Sequence, residues 1–181
     1  MLENVDRLLK SPSTQRGRDF AIMLSSLSEL GYAVEWRVIN AAEYGMPQRR
    51  KRVYIMAYKK GTSMYEQIEA LSSPKKNKLF DWVSHSGIMN AAFPMIFDTK
   101  PTDDKLEKEL VKISENTDKY NAKNRPFANA GIMFKRKYFT GAGKAKYSGK
   151  YETLGDILLD ENEIPDEYFI LESEKKKWKD L

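Results

Sequence analysis

The 181-residue sequence predicts an α/β fold followed by a smaller mixed, β-rich region. Three observations carry that expectation. Apolar residues recur at helical spacing from Phe20 to Leu30. Two runs rich in β-branched and aromatic residues follow at 32–41 and 52–58, and a glycine-bearing alternating run occupies 131–143. Helix, strand, short connection, strand is the order met at the edge of an α/β sheet.

The elements follow one by one. Ser11-Pro12-Ser13 offers an N-cap and a proline suited to a first helical turn. Phe20, Met23, Leu24, Leu27 and Leu30 then share one face, and Gly31 stands where a left-handed C-terminal residue is expected, so the predicted helix ends at Leu30. YAVEWRVINA (32–41) sets Val34, Trp36 and Val38 against Ala33, Glu35 and Arg37, the alternation of a strand. RVYIMAY (52–58) is more uniformly apolar and reads as a strand buried on both faces. Beyond Gly61, TSMYEQIEAL predicts a short helix, SSPKKNK (72–78) a turn or linker, and 79–98 a segment apolar enough to pack. In 100–119 lysines and acids alternate as on an exposed helix or a mobile loop. GIMFKRKYFTGAG (131–143) reads as a strand or hairpin. The tail is acidic, with a helix-like TLGDILL (153–159), and closes on a lysine-rich run that looks like a cut.

Composition narrows the chemistry. Hydrophobic residues at 41% and charged residues at 31% suit a soluble globular protein, and no apolar run has the roughly 18 residues a membrane span needs. No apolar signal core opens the chain, so neither export nor a membrane partner is expected. With no cysteine, the chain forms no disulfide and holds no thiolate nucleophile. The single histidine, His85, excludes a histidine cluster and reads as a surface or packing residue; no metal is expected. Trp36 and Trp82 read as core. A formal charge of +5 points mildly to an anionic partner.

Where the charge sits says more. In YGMPQRRKR (44–52) a Gly-x-Pro turn is followed by Arg49, Arg50, Lys51 and Arg52. Such a cluster is costly without an anion, or else it is a charged edge that blocks strand pairing. From 121 to 151 the cations Lys123, Arg125, Lys135, Arg136, Lys137, Lys144, Lys146 and Lys150 occur with no acid among them. Phe127, Phe134, Tyr138, Phe139, Tyr147 and Tyr151 are interleaved. That mixture suits a phosphate backbone and its bases, the alternative being a solvated basic loop.

LENVDRLL (2–9) and YGMPQRRKRVYIMAY (44–58) together resemble two blocks of the DNA cytosine-5 methyltransferases, as does the connecting LSELGYAVEWRVINAAEYG. The resemblance is clear over the first third of the chain. Beyond it, PFANAGIMFKRKYF and YETLGDILL are more loosely similar to the variable target-recognition region. The implied fold is the edge of a Rossmann-like, S-adenosylmethionine-dependent methyltransferase sheet. The implied division is 1–60 catalytic, 61–120 connecting, and 121–181 basic recognition region with its acidic tail. In the family's reaction a cysteine adds to C6 of a flipped cytosine, and C5 then takes the methyl group from S-adenosylmethionine. The resemblance gives Glu3 the role of acid at N3, which requires burial that keeps the carboxyl protonated near neutral pH. It gives Arg52 the stabilisation of charge at O2, with Arg50 holding a phosphate or bracing the site. Asn4 would orient its loop. Gln48, Arg49 and Lys51 are available for the backbone contacts that extrude a base. Without the second block, Glu3 would read as a solvated carboxylate.

The family's glycine-rich cofactor loop, Pro-Cys dipeptide and closing motifs are not found. The expectation is an internal fragment, inactive alone and not binding S-adenosylmethionine well, whose partners are double-stranded DNA and an N-terminal half bearing the Pro-Cys motif. A prokaryotic, cytoplasmic setting and a restriction-modification role go with it. Two alternatives stand beside truncation: one subunit of a split enzyme, and a non-catalytic DNA-binding module. The DNA site and the oligomeric state are not legible.

Overall fold

In the computed structural model, which describes residues 1–72 and 78–179, the β-branched runs form one six-stranded sheet. Two compact units are present, Met1–Tyr151 and Glu152–Leu181. In chain order the first contains β1 (Leu2–Val5), α1 (Arg18–Glu29), β2 (Tyr32–Asn40), β3 (Lys51–Lys59) and α2 (Ser63–Leu71). There follow α3 (Leu79–Asp81), which runs into a π-helical turn at Trp82–Ser86, then α4 (Ile88–Ala92), β4 (Met95–Phe97), β5 (Thr102–Lys105) and α5 (Leu110–Glu115). A hairpin of β6 (Ala130–Phe134) and β7 (Lys137–Gly141) and a short β8 (Gly143–Ala145) complete it. The second unit holds α6 (Glu172–Lys179) and short 3-10 turns.

The sheet order is β1-β3-β2-β6-β7-β5, and every pairing is antiparallel; β4 and β8 pair separately. The architecture is therefore mixed α/β, with strands from 1–60 and from 121–151 in one sheet. Alternation along β2 and β3 sends their side chains to two packed layers. On one face Val34, Trp36, Val53 and Ile55 meet Phe20 and Leu24 of α1 and Ile113 of α5. On the other, Ala33 and Tyr58 meet Tyr65 and Ile68 of α2, Trp82 and Ile132. Each buried side chain of this size contributes roughly 1.5–3 kcal/mol.

Tight backbone approaches set the register. Gly131 lies opposite Trp36, and a Cβ there would sit 2.1 Å from Trp36 Cζ2. The indole thus lies flat over a strand that only glycine permits, edge-on to Phe20 at 5.4 Å and to Phe127 at 5.8 Å. Lys135 (φ 49°) and Arg136 (φ 65°) make the two-residue turn of the β6–β7 hairpin, where two positive φ values match the strand twist. Their side chains pair with Glu69 of α2 and Glu29 of α1 respectively, which holds a turn that usually falls to asparagine and glycine.

Several expectations require correction. The first helix starts at Arg18 rather than after Ser13, because Gly17 (φ 86°) turns the chain against Pro126. Ser11 still reaches that terminus, its hydroxyl donating to Asp19 at 2.6 Å. Gly31 (φ 78°) does end the helix, but Leu30 is exposed. β3 is not buried on both faces: Arg52, Tyr54 and Met56 are half-buried, since its outer neighbour β1 is a fully exposed edge strand. The charge-dense 100–119 segment contributes edge strand β5 and helix α5, and it buries Leu106 and Ile113. TLGDILL makes only a 3-10 turn at Leu154–Asp156, closed by the Thr153–Asp156 capping box, and Leu154, Ile157, Leu158 and Leu159 are exposed. The short helix after Gly61 forms, capped by Thr62, whose hydroxyl accepts from Tyr65 N. The linker expected at 72–78 falls on 73–77, outside the described residues.

Candidate functional site

Strand register brings the two sequence blocks together. β1 pairs with β3 so that Glu3 lies opposite Tyr54 and Val5 opposite Arg52. Glu3 and Arg52 are therefore diagonal neighbours on one face. Glu3 Oε1 is 3.5 Å from Arg52 Nε and 3.9 Å from Arg50 Nη2. Arg52 also donates to the Lys51 carbonyl at 2.7 Å, which steadies its guanidinium. The Glu3 side chain is 45% exposed, so the burial expected of it is not supplied by these residues. Asn4 Oδ1 accepts from Val5 N at 2.7 Å, a local contact that shapes the strand end.

Period-two alternation divides the cation cluster. Arg50 and Arg52 meet Glu3, whereas Lys51 belongs to the opposite side. There it lines a cavity of about 750 Å³ with Lys10, Arg125, Lys144, Asn40 and Asn129, and with the acids Asp6 and Glu43. Asn129 secures one wall by exchanging two hydrogen bonds with the Gly143 backbone, at 2.7 and 2.8 Å. A second, open depression of about 490 Å³ is lined by Gln48 and Arg49 together with Asp6, Arg50, Lys51 and Arg52. The turn that delivers these residues is braced: Met46 N donates to Ala41 O at 3.2 Å and Ala41 N to Arg50 O at 3.1 Å. Gly45 adopts φ 86°, and a Cβ there would lie 2.6 Å from both the Lys150 carbonyl and the Tyr147 hydroxyl.

The remaining basic candidates are dispersed. Lys135, Arg136 and Lys137 stand at the hairpin tip, at the end of β6 away from the cavity, paired with Glu69, Glu29 and Asp103. Lys144 pairs with Asp98 at 2.5 Å even as it lines the cavity. Lys146 lies in a separate depression with His85 and Asn90, and Lys123 is exposed. Among the described residues Arg49, Lys51 and Arg125 make no ion pair. The chain thus gathers Glu3 with Arg50 and Arg52, and Lys51 with Arg125, and leaves the hairpin cations apart.

One constellation escaped the sequence reading. Glu35 and Arg37, both fully buried, face each other on β2 with 4.0 Å between Glu35 Oε1 and Arg37 Nη2. Glu35 Oε2 accepts from the Tyr58 hydroxyl and the Trp82 indole, each at 3.0 Å. Arg37 donates to the carbonyls of Val83, at 2.5 Å, Met89, at 3.3 Å, and Phe93. Burial raises the Glu35 carboxyl above its ordinary range despite the opposing pull of Arg37, Tyr58 and Trp82, and it lowers Arg37. Tyr58 is raised by burial and by the Glu35 charge. The available signal was an acid and an arginine two apart on a strand otherwise fit for the core. Among the described residues no group of histidine, cysteine and carboxylate side chains is arranged to hold a metal ion. No helix among them is long and apolar enough to cross a membrane.

Comparison with known proteins adds independent findings. The family model for the C-5 cytosine-specific DNA methylases matches residues 1–178. The type II methyltransferase M.Sau3AI of Staphylococcus aureus is 41% identical over 184 residues, covering 100% of this chain and 41% of its own length. M.NlaIV of Neisseria lactamica is 35% identical over 100 residues, which is 53% of this chain and 22% of that protein. M.NgoBI of Neisseria gonorrhoeae is 42% identical over 65 residues, 36% of this chain and 20% of its own. The chain thus spans well under half of each of these relatives. No solved structure matches.

Proposed function

The chain belongs to the C-5 cytosine-specific DNA methylase family, and from that premise we propose that it forms the base-binding edge and part of the DNA-recognition surface of a longer DNA cytosine-5 methyltransferase. The observation that carries this reading is the convergence of Glu3 with Arg50 and Arg52 across the β1–β3 register. Strands β1, β3 and β2 are then the edge of the Rossmann-like catalytic sheet. Segment 61–120 connects, and 121–181 supplies recognition and tail.

In this reading a flipped cytosine enters beside β1. Glu3 donates a proton or strong hydrogen bond to N3, and the Arg52 guanidinium meets O2 as charge builds there. Arg50 braces Glu3 or holds a neighbouring phosphate. The carboxyl acts as an acid only once DNA and the rest of the enzyme cover it, since here it stands open to solvent. Lys51 and Arg125, on the other side of the strand, take the phosphate backbone, with Gln48 and Arg49 beside them. Lys123, Lys144 and Lys146 extend that surface. Lys135, Arg136 and Lys137 join it only by exchanging their present partners for phosphates.

The residues present do not fit S-adenosylmethionine. Positive-φ glycines occur singly at Gly17, Gly31, Gly45 and Gly61, not as a glycine-rich loop between strand and helix. The larger cavity presents Lys10, Lys51, Arg125 and Lys144, which outnumber its acids Asp6 and Glu43 and disfavour a sulfonium. The cofactor supplies the methyl group when bound elsewhere in the enzyme. The nucleophile likewise comes from outside these 181 residues, which contain no cysteine. The bacterial type II relatives favour a cytoplasmic, restriction-modification setting.

Methyl transfer from tritiated cofactor to duplex DNA tests the proposal. The chain alone gives no turnover. A longer polypeptide that adds a cysteine-bearing portion does, and Glu3→Gln or Arg52→Ala abolishes it there. Turnover by the chain alone, or full activity in both variants, refutes the reading.

A further inference from the structure

The buried Glu35–Arg37 arrangement is not accounted for by stability. Isolating two charges from water costs several kcal/mol per ion, and an apolar pair of similar volume is often as stable. What Arg37 does instead is fix backbone. Its guanidinium ties three carbonyls, those of Val83, Met89 and Phe93, so the segment running from the π-helical turn through α4 is held against the middle of β2. The Phe93 carbonyl is also an acceptor for a second donor, the Tyr44 hydroxyl, at 3.3 Å, which is shared with Pro94 O at 3.2 Å. The Tyr44 ring packs edge-on against Phe93 at 5.2 Å and lies 6.3 Å from Tyr147. Tyr44 precedes Gly45, the left-handed residue that starts the turn toward Arg50 and Arg52, and the far side of that glycine is closed by Tyr147 and Lys150.

We propose that Tyr44 is a positioning residue that locks the arginine-bearing turn to the 83–94 segment through the adjacent carbonyls of Phe93 and Pro94, the first of which Arg37 holds in place, so that the placement of Arg50 and Arg52 depends on how that segment and Tyr147 are seated. The proposal deepens, and rests on, the reading of Arg50 and Arg52 as base-pocket residues. Its chemistry is specific. The joint is a hydroxyl donor shared by two backbone acceptors, one of them already bound by a guanidinium, and removing one oxygen atom from Tyr44 breaks it without disturbing the ring. Burial raises the Tyr44 phenol, which keeps the donor protonated.

Amide hydrogen exchange on the 181-residue chain tests the lock without requiring catalysis. In Tyr44→Phe the turn amides of Met46 and Arg50 exchange about tenfold faster, whereas those of Ile132 and Phe139 in the hairpin keep their protection. Phe93→Ala leaves the acceptor carbonyl in place and removes only the ring packed on Tyr44, so it accelerates the Met46 and Arg50 amides less than Tyr44→Phe does. Unchanged Met46 and Arg50 exchange in Tyr44→Phe overturns the proposal. A uniform rise that includes Ile132 and Phe139 overturns it too, because Tyr44 would then be only a packing residue. In the longer enzyme Tyr44→Phe lowers kcat while leaving KM for duplex unchanged; a rise in KM alone counts against the lock. Turnover by the wild-type enzyme tests the methyltransferase reading separately, so the two fail in distinguishable ways.

Discussion

The same sheet carries two acid–arginine arrangements in opposite surroundings. At its edge Glu3 meets Arg50 and Arg52 in the open, with side chains 45%, 51% and 25% exposed. In its interior Glu35 meets Arg37 with both side chains fully buried. The chemistry is shared, and what differs is how many other groups each charge must satisfy. The edge carboxylate has solvent and two cations beside it, so it is free to exchange partners. The interior pair has no such freedom: Tyr58, Trp82 and three carbonyls hold it. Solvent access, more than residue identity, separates an exchangeable arrangement from a fixed one.

That contrast is broken most severely from the inside. Arg37→Ala takes one donor from each of three carbonyls and leaves the Glu35 charge without its cation, and it is expected to cost about 3–5 kcal/mol in chemical denaturation. A loss under 1 kcal/mol would mean the pair contributes little to holding 83–94. Glu35→Gln sharpens the contrast through pH. Burial raises the folded-state pKa of Glu35, so the folded protein holds that proton more tightly than the unfolded chain. The stability linked to this group is thus complete below the ordinary carboxylate range and is lost as pH rises through the raised value. Wild-type unfolding free energy measured across that window falls with a component that Glu35→Gln lacks. The smallest effect is at the edge: Glu3→Gln changes unfolding free energy by only about 0–1 kcal/mol, because an exposed ion pair contributes that little. A thermal melt checks it, and a large loss would make Glu3 a structural residue.

Much of the fold was legible because it is written locally. The face containing Phe20 and Leu24, the stop at Gly31, the Thr62-capped helix and the β6–β7 hairpin each follow from patterns a few residues long. What was not legible depends on distant partners. Gly17 begins α1 because Pro126, far along the chain, crowds it. Lys135 and Arg136 read as free cations because Glu69 and Glu29 belong to helices elsewhere in the sequence. Alternation marked Glu35 and Arg37 as sharing a face, but it could not say that 79–93 would cover that face. Glu3 and Arg52 were joined by family resemblance; their diagonal contact depends on a register that no local pattern states.

The division of cations along β3 bears on which length changes the protein tolerates. Arg52 addresses one side of the sheet and Lys51 the other because successive strand residues alternate, and Arg50, just ahead of the strand, reaches Glu3 with Arg52. One residue inserted between Arg52 and Val53 would exchange the audiences of the two sides, turning a lysine to Glu3 and an arginine to the cavity beside Arg125. Two inserted residues would restore the assignment and merely lengthen the loop. Among relatives of this chain, length variation just ahead of Val53 should therefore come in even steps, while the turn before Gln48, outside the ladder, remains free to vary singly.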